Sequence, residues 1–417
     1  MKLPKSASDN DKVKKLATVL EQSLEQGKET VLEVKDTVLA MAEEKGVLEH
    51  LANLANKRRA KKAKSEQASS SSSDTALRLA FIGGGSFGTA MANLAVKNGC
   101  EATLWVRDKR SVKSMQKTHI NKKYLPEHKL DEGLKFSHDL AMAVKGVDII
   151  FIAVPSGAVR ETLRQIAPMI TSQAVVSLTK GMEKDTYALM SDIIIDELPQ
   201  VSFGVMSGPN LALEIMNEMP SATVIASKSE LLRHAVQKSL HSAFFRVFAS
   251  DDVKGVELGG ALKNIYAIAM GMAAAYNVGE NTKAMILTRA LAEMSRFGVA
   301  VGANPLTFLG LSGVGDLYAT CSSTLSRNYR IGNMLGSGIS LDNAIKKLGQ
   351  TAEGVNTIAQ VHERAAQLGV YMPITQALYS VLYEDKAALG VALNLMETGF
   401  RSDVEFVMPH DTSHDNM

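Results

Sequence analysis

The stretch Gly83-Gly84-Gly85-Ser86-Phe87-Gly88 constrains this chain more than any other, because of what stands on either side of it. It reads Gly-x-Gly-x-x-Gly. An apolar run, Leu77-Arg78-Leu79-Ala80-Phe81-Ile82, leads in, and an Ala-rich segment of helical character, Thr89 to Val96, leads out. Glycines at this spacing also close ordinary turns, but strand, turn and helix in that order is the context in which they hold a dinucleotide. Gly83 permits the tight turn, Gly85 lets the backbone approach a pyrophosphate, and Gly88 lets the helix pack closely on the strand. The helix N-terminus then offers unpaired N–H groups and a partial positive charge to the phosphates.

At 417 residues the chain is too long for one hydrophobic core of ordinary size, so two domains and an appendage are expected. No run reaches the ~18 uninterrupted apolar residues of a membrane helix. Two cysteines, Cys100 and Cys321, give neither a disulfide framework nor zinc spacing, which fits a reducing compartment. No secretory signal is visible, and the first 60 residues are too rich in Glu and Asp for a transit peptide, so a cytoplasmic location is expected. The formal net charge is +2, and residues 1–75, with 14 basic and 12 acidic side chains, account for all of it. The balanced remainder argues against a nucleic-acid surface.

Residues 1–75 read as a separate helical extension. Val13, Leu16, Leu20 and Leu24, then Val31, Val34, Val38 and Met41, recur at helical spacing. A basic run, Lys57 to Lys64, reads as a solvated flank, and five serines, Ser69 to Ser73, as a flexible linker. From residue 76, strand and helix patterns alternate. Thr103–Val106, Val147–Val154, Ala174–Thr179 and Ser202–Met206 read as further strands, the second of them buried on both faces of a parallel sheet. The expected fold is α/β: a doubly wound Rossmann-type parallel sheet over 76–261, an all-α domain over 262–403, and a flexible tail over 404–417.

The group that grips the adenosine ribose is expected at the end of the second strand, which holds Arg107-Asp108-Lys109. Arg107 suits a 2′-phosphate and Asp108 a free 2′-hydroxyl. A cation first, with Lys109 close by, favours NADP over NAD. Four later segments combine small turn residues with isolated polar groups: Thr179-Lys180-Gly181-Met182-Glu183, Ser207-Gly208-Pro209-Asn210, Gly260-Ala261-Leu262-Lys263-Asn264 and Gly313-Val314-Gly315-Asp316. Lys180 ends a buried strand, the edge where ligands bind in such sheets. Lys263 interrupts an apolar helix, where it is either a snorkelling surface lysine or one whose charge is satisfied or lost; desolvation and nearby cations would suit it to proton transfer. Arg327-Asn328, preceded by Ser326, offers a fork and an amide for an anion. There is no metal-ligand cluster, and His119, His128, His234 and His241 read as surface or structural residues.

Taken together and in order, these segments resemble the NAD(P)-dependent glycerol-3-phosphate dehydrogenases, in their bacterial branch. The resemblance rests on the glycine loop with Phe87, Tyr124-Leu125-Pro126, Val154-Pro155-Ser156, Lys180-Gly181, Ser207-Gly208-Pro209-Asn210, Gly259 to Asn264, Gly315-Asp316-Leu317, Ser326-Arg327-Asn328, Glu353-Gly354 and Met372-Pro373-Ile374-Thr375. It spans about residues 77–400, and the extension matches nothing in it. It implies Lys263 as the proton donor to dihydroxyacetone phosphate, Lys180 as a group polarising the carbonyl, and Asp316 as the residue that orients both lysines. It implies Gly208, Asn210, Asn264, Thr320, Ser326, Arg327 and Asn328 around the substrate. It implies Gly83, Gly85, Ser86, Phe87, Gly88, Arg107, Tyr124, Lys180, Ala212, Arg327 and Glu353 around the cofactor. A homodimer, no metal and no membrane span complete the expectation. The alternatives are a ketopantoate-like or 6-phosphogluconate-like reductase, which would not be expected to carry Ser-Arg-Asn in this order, and a non-catalytic cofactor-binding scaffold.

Overall fold

Leu79 to Ile82 and Ile149 to Ile152 are buried on both faces, the mark of central strands in a sheet covered on two sides. The computed structural model describes residues 76–324, 326–348 and 353–397; the expected extension at 1–75 and the tail at 404–417 lie outside the described residues. The elements alternate: β1 (Arg78–Ile82), α1 (Ser86–Lys97), β2 (Glu101–Trp105), α2 (Lys109–Thr118), β3 (Lys135–Ser137), α3 (Leu140–Val144), β4 (Ile149–Ile152), α4 (Val159–Ile166), β5 (Ala174–Ser177), α5 (Met190–Glu197), β6 (Phe203–Ser207), α6 (Ala212–Met216), β7 (Ser221–Ala226), α7 (Glu230–Leu240) and β8 (Phe245–Ser250). They form one eight-stranded sheet in the order β3-β2-β1-β4-β5-β6-β7-β8. Phe81 and Phe151 sit opposite one another in register, and their rings stack at 4.6 Å. Alternate residues feed two cores: Leu79, Phe81, Met91 and Leu104 on one face, and Ala80, Ile82, Leu163 and Ile193 on the other. Each such large side chain contributes about 1.5–3 kcal/mol.

The first six strands run parallel, as expected, but β7 pairs antiparallel with β6, and β8 then runs parallel to β7. After the five-residue α6 the chain re-enters the sheet beside the point where it left, with Ser207 opposite Val224.

The helical layer comprises α8 (Val253–Ala275), α9 (Glu280–Ala300), a π-helical turn (Leu311–Gly315), α10 (Asp316–Ser322), α11 (Arg327–Gly336), α12 (Leu341–Leu348), α13 (Glu353–Leu368), α14 (Pro373–Tyr383) and α15 (Ala388–Glu397). Asp252 caps α8 by accepting from Gly255 N at 3.0 Å. Helix α8 runs unbroken across residues 261 and 262: Val253 and Val256 pack on the sheet with Val205 and Val224, while Leu258 onward joins the helical core. It is buried nearly all round, as a central helix must be. Close approach by α11 requires glycine on both sides. A Cβ on Gly271 would lie 2.0 Å from Tyr329 O, and one on Gly332 would lie 2.0 Å from Ile268 O.

Candidate active site

In a parallel sheet the loops after the strands share one edge, and here that edge carries Gly83 after β1, Arg107 after β2, Lys180 after β5 and Gly208 after β6. The glycine loop has the required shape. Gly83 adopts φ +128°, and a Cβ there would lie 2.4 Å from Ala153 O. Gly88 packs against Gly83 O and Ala153. A Cβ on Gly85 would meet nothing within 4 Å, so the loop presents bare backbone at the start of α1. Ser86 opens that helix, and Phe87 and Ala212 both pack against the same core. Asn121 props the loop by donating to Gly84 O at 3.0 Å and Thr89 Oγ1 at 2.9 Å. Tyr124, exposed, follows it in the chain.

Lys180 crosses from the sheet to the helical layer. Its stem passes over Gly260, where a Cβ would stand 3.3 Å from Lys180 Cδ and 2.3 Å from Ser207 Oγ. Its Nζ donates to Gly208 O at 3.0 Å and to Asp316 Oδ2 at 2.6 Å. The other oxygen, Asp316 Oδ1, accepts from Lys263 Nζ. One carboxylate thus holds two ammonium groups, from a strand end and from the middle of α8. Asp316 is 1% exposed and follows the π-helical turn, a distortion common at functional sites. Burial pushes the Lys263 ammonium down to about 7; Asp316 opposes the fall and Lys180 adds to it. Lys263 is therefore buried and paired rather than snorkelling. Cys321, nearby, is inert, its thiol pushed up to about 12 by burial.

The anion residues assemble around the same point. Ser326 caps α11, its hydroxyl accepting from Tyr329 N at 3.3 Å. Asn328 Oδ1 accepts from Gly354 N at 3.1 Å, and the space a Cβ on Gly354 would need is taken by Asn328 and by Asn264 O. Burial raises the Glu353 carboxyl, against the fields of Arg327, Lys180 and Lys263, which places it among these cations. Thr320 is buried and donates to Asp316 O at 2.7 Å. Asn210 donates to Thr223 Oγ1 at 2.9 Å. Among the described residues only three buried side-chain polar atoms lack a partner, and two of them, Ser207 Oγ and Asn210 Oδ1, fall in this one loop. Unsatisfied buried groups concentrate where a ligand or ordered water completes them. Arg107 stands apart, at the end of β2, separated from Lys180 by the width of β1 and β4.

Sequence reasoning passed over Thr223, Asn121 and the partners of Glu183. None carries a local signal, since each acts through a residue distant in the chain. Asp108 did carry one: an Asp directly before a helix is a preferred N-cap. It accepts from Ser111 N at 2.9 Å, Ser111 Oγ at 2.6 Å and Arg110 N at 3.3 Å, which hold its carboxyl below the usual range.

A glycine loop at β1, together with a buried lysine from a separate helical layer that meets the sheet's Lys180 on one aspartate, is the construction of a two-domain nicotinamide-dependent oxidoreductase. Two family models divide the chain between them: NAD-dependent glycerol-3-phosphate dehydrogenase N-terminus over residues 78–232, and its C-terminus over 252–391. The chain belongs to the NAD-dependent glycerol-3-phosphate dehydrogenase family. It is 78% identical over 340 residues to glycerol-3-phosphate dehydrogenase [NAD(P)+] of Psychrobacter cryohalolentis, covering 82% of this chain and 79% of that one. It is 67% identical to the protein of the same name from Acinetobacter baylyi, covering 81% and 94%. Among solved structures it resembles glycerol-3-phosphate dehydrogenase of Coxiella burnetii, at 36% identity and a TM-score of 0.74 over 77% of this chain and 99% of that one.

Proposed function

We propose that this protein is an sn-glycerol-3-phosphate dehydrogenase, interconverting dihydroxyacetone phosphate and glycerol 3-phosphate for phospholipid synthesis. The observation that carries the reading is the Lys180–Asp316–Lys263 cluster, in which Asp316 and Lys263 are buried and Lys180 half-buried, and in which Lys180 comes from the sheet edge that also carries the glycine loop. Gly83, Gly85, Ser86, Phe87, Gly88, Arg107, Tyr124, Lys180, Ala212, Arg327 and Glu353 would hold the dinucleotide, and the bare backbone at Gly85 fits a pyrophosphate. When bound, the nicotinamide supplies or accepts the hydride.

The chain's own residues do the rest. Near neutral pH Lys263 holds its proton about half the time, so it can give one to the carbonyl oxygen during reduction and take it back from the alcohol. Lys180 places a second cation where negative charge grows on that oxygen. Asp316 orients both. Ser326, Arg327 and Asn328 bind the phosphate, with Asn264, Thr320, Gly208 and Asn210 around the carbon chain, so that a remote group positions the reacting carbon. This chemistry calls on no metal. A scaffold without turnover would leave two lysines gathered on one buried aspartate to no purpose, and the matched family models favour this reading over a ketopantoate-like or 6-phosphogluconate-like reductase.

Two features support NADP over NAD. Asp108 is occupied as the cap of α2. Arg107, Lys109 and Arg110 surround it, all exposed. A cytoplasmic homodimer, as in the sequence-based expectation, completes the proposal; sedimentation tests the dimer. The decisive assay follows NADPH and NADH oxidation with dihydroxyacetone phosphate. Turnover is expected with both, faster with NADPH, and Arg107→Ser is expected to lower kcat/KM for NADPH selectively. Folded protein that binds either cofactor yet oxidises neither would refute the activity, and an unchanged cofactor ratio in the variant would refute the role of Arg107.

A further inference from the structure

The hairpin that follows Lys180 is held more firmly than a surface turn needs. Gly181 turns at φ +130°, against Ser156. Glu183 N then bonds Ala188 O at 2.8 Å, and Met182 bridges Leu189. Both Met182 and Leu189 are buried in the core of the helical layer, so the hairpin reaches across from the sheet. Its tip contains two non-glycine residues in left-handed conformation, Asp185 at φ 72° and Tyr187 at φ 56°, which persist only where the surroundings impose them.

At Tyr187 the side chain bonds Glu363 and Gln367 of α13, and a guanidinium grips the hairpin at Glu183. Arg160 of α4 grips Glu183 with both arms of its fork, Nε to Oε1 at 2.7 Å and Nη2 to Oε2 at 2.8 Å. The same group donates to Glu197 at 2.6 Å and to Asp196 at 3.1 Å on α5, and Arg164 reaches Glu197 at 3.0 Å. Thr186 Oγ1 adds a bond to Glu183 at 2.7 Å. Arg160, Glu183 and Glu197 are 22%, 17% and 15% exposed, so this is not the solvent-screened pair whose worth is negligible. A planar fork fixes orientation as well as distance, which an ammonium would not.

Lys180 has a long, flexible stem, and both of its tip contacts, Gly208 O and Asp316, belong to other segments. Only two residues, Gly181 and Met182, separate it from Glu183. We propose that Arg160 and Glu183 are positioning residues that clamp this hairpin, holding the base of Lys180 so that its ammonium meets Asp316 in the geometry the reaction uses. The inference rests on the catalytic reading of Lys180.

The test is a double-mutant cycle on kcat in the full-length enzyme, pairing Glu183→Gln with Lys180→Ala. Glu183→Gln is expected to lower kcat about 10-fold, a loss that a misplacement of about 1 Å can bring, with KM for the cofactor unchanged. In the Lys180→Ala background the same substitution is expected to change kcat less than twofold, because the group it positions is gone. Arg160→Lys, which keeps a cation for Glu197 but not the fork, is expected to follow the same pattern and serves where Glu183→Gln does not fold. Equal losses in both backgrounds, or none in the parent, would overturn the clamp. An unaffected Lys180→Ala enzyme would instead overturn the role of Lys180 itself.

Discussion

Replacing Asp316 with Asn tests the electrostatic core of the site, and the direction of its effect is fixed by the geometry. Among the described residues, Asp316 is the only negative charge in direct contact with the two ammonium groups. At an effective dielectric of about 20, a unit charge about 4 Å away is worth about 4 kcal/mol, or about three pH units for the group it stabilises. The Lys263 ammonium, already pushed down to about 7 by burial, loses its main support in Asp316→Asn, and Lys180 still repels it. Because kcat/KM reports the free enzyme, its pH dependence for dihydroxyacetone phosphate reduction is the appropriate assay. The alkaline break is expected near 7 in the parent and about three units lower in the variant. At neutral pH reduction should fall between about 10- and 1,000-fold, the range reflecting how far a stronger acid compensates for being less often protonated. Lys180→Met removes a repelling cation, so it should move the break upward whatever it does to the maximal rate. A buried Lys263 ammonium left without a counter-charge also destabilises the fold by several kcal/mol, so melting is recorded beside the kinetics. A break that stays at its parental position in Asp316→Asn, or that moves the same way in both variants, would refute the assignment of Lys263 as the titrating acid.

Three further outcomes are expected. Arg327→Ala should weaken dihydroxyacetone phosphate much more than dihydroxyacetone; an unchanged preference between them would remove Arg327 from the phosphate site. Gly260→Ala puts a methyl 2.3 Å from Ser207 Oγ and 3.3 Å from Lys180 Cδ, and should lower kcat at least 10-fold through displacement of Lys180, an order of magnitude typical of misplaced catalytic groups; near-normal turnover would show that the stem has room to yield. Glu257, buried in α8 and bonded to Ser191, has its carboxyl pushed up from 4.5 to about 7 by burial. In that window the folded protein binds the extra proton, so stability present at low pH is lost as pH rises through about 7. Relative to the parent, Glu257→Gln should therefore gain melting temperature between pH 5 and 8, and a difference independent of pH would contradict this.

Much of the sheet was legible because its signals are local. The glycine loop and the all-apolar β4 need only their own neighbours to be read. β3 is three residues long, and no strand pattern encodes the reversed direction of β7. At the site, the residue types stood out in sequence, since a lysine and an asparagine inside an apolar helix demand an explanation. Their company did not. Lys180 and Asp316 lie 136 residues apart, and Lys263 and Asp316 lie 53 apart. The glycines that permit the meeting are read as turn or packing residues until the structure shows Lys180 lying over Gly260. The capping role of Asp108 was legible from sequence, because it occupies the position and has the chemistry of a helix cap.

A near-neutral ionisable group is not what makes the site. Lys263, Glu257 and Glu293 are all buried, and burial brings all three to about 7, the lysine from above and the carboxyls from below. The two glutamates are committed elsewhere. Glu257 accepts from Ser191 N and Oγ at the start of α5. Glu293 accepts from Thr375 N and Oγ1 at the start of α14, and from Tyr266 OH. Each joins α8 or its neighbour to a helix end and stiffens the frame around the reaction. Lys263 shares the helix and the burial of Glu257 but points to a carboxylate that also holds a second cation, on the edge where the parallel strands end. Burial sets the proton affinity of all three groups; in the proposed reaction, position alone singles out Lys263 as the one that exchanges its proton with a substrate.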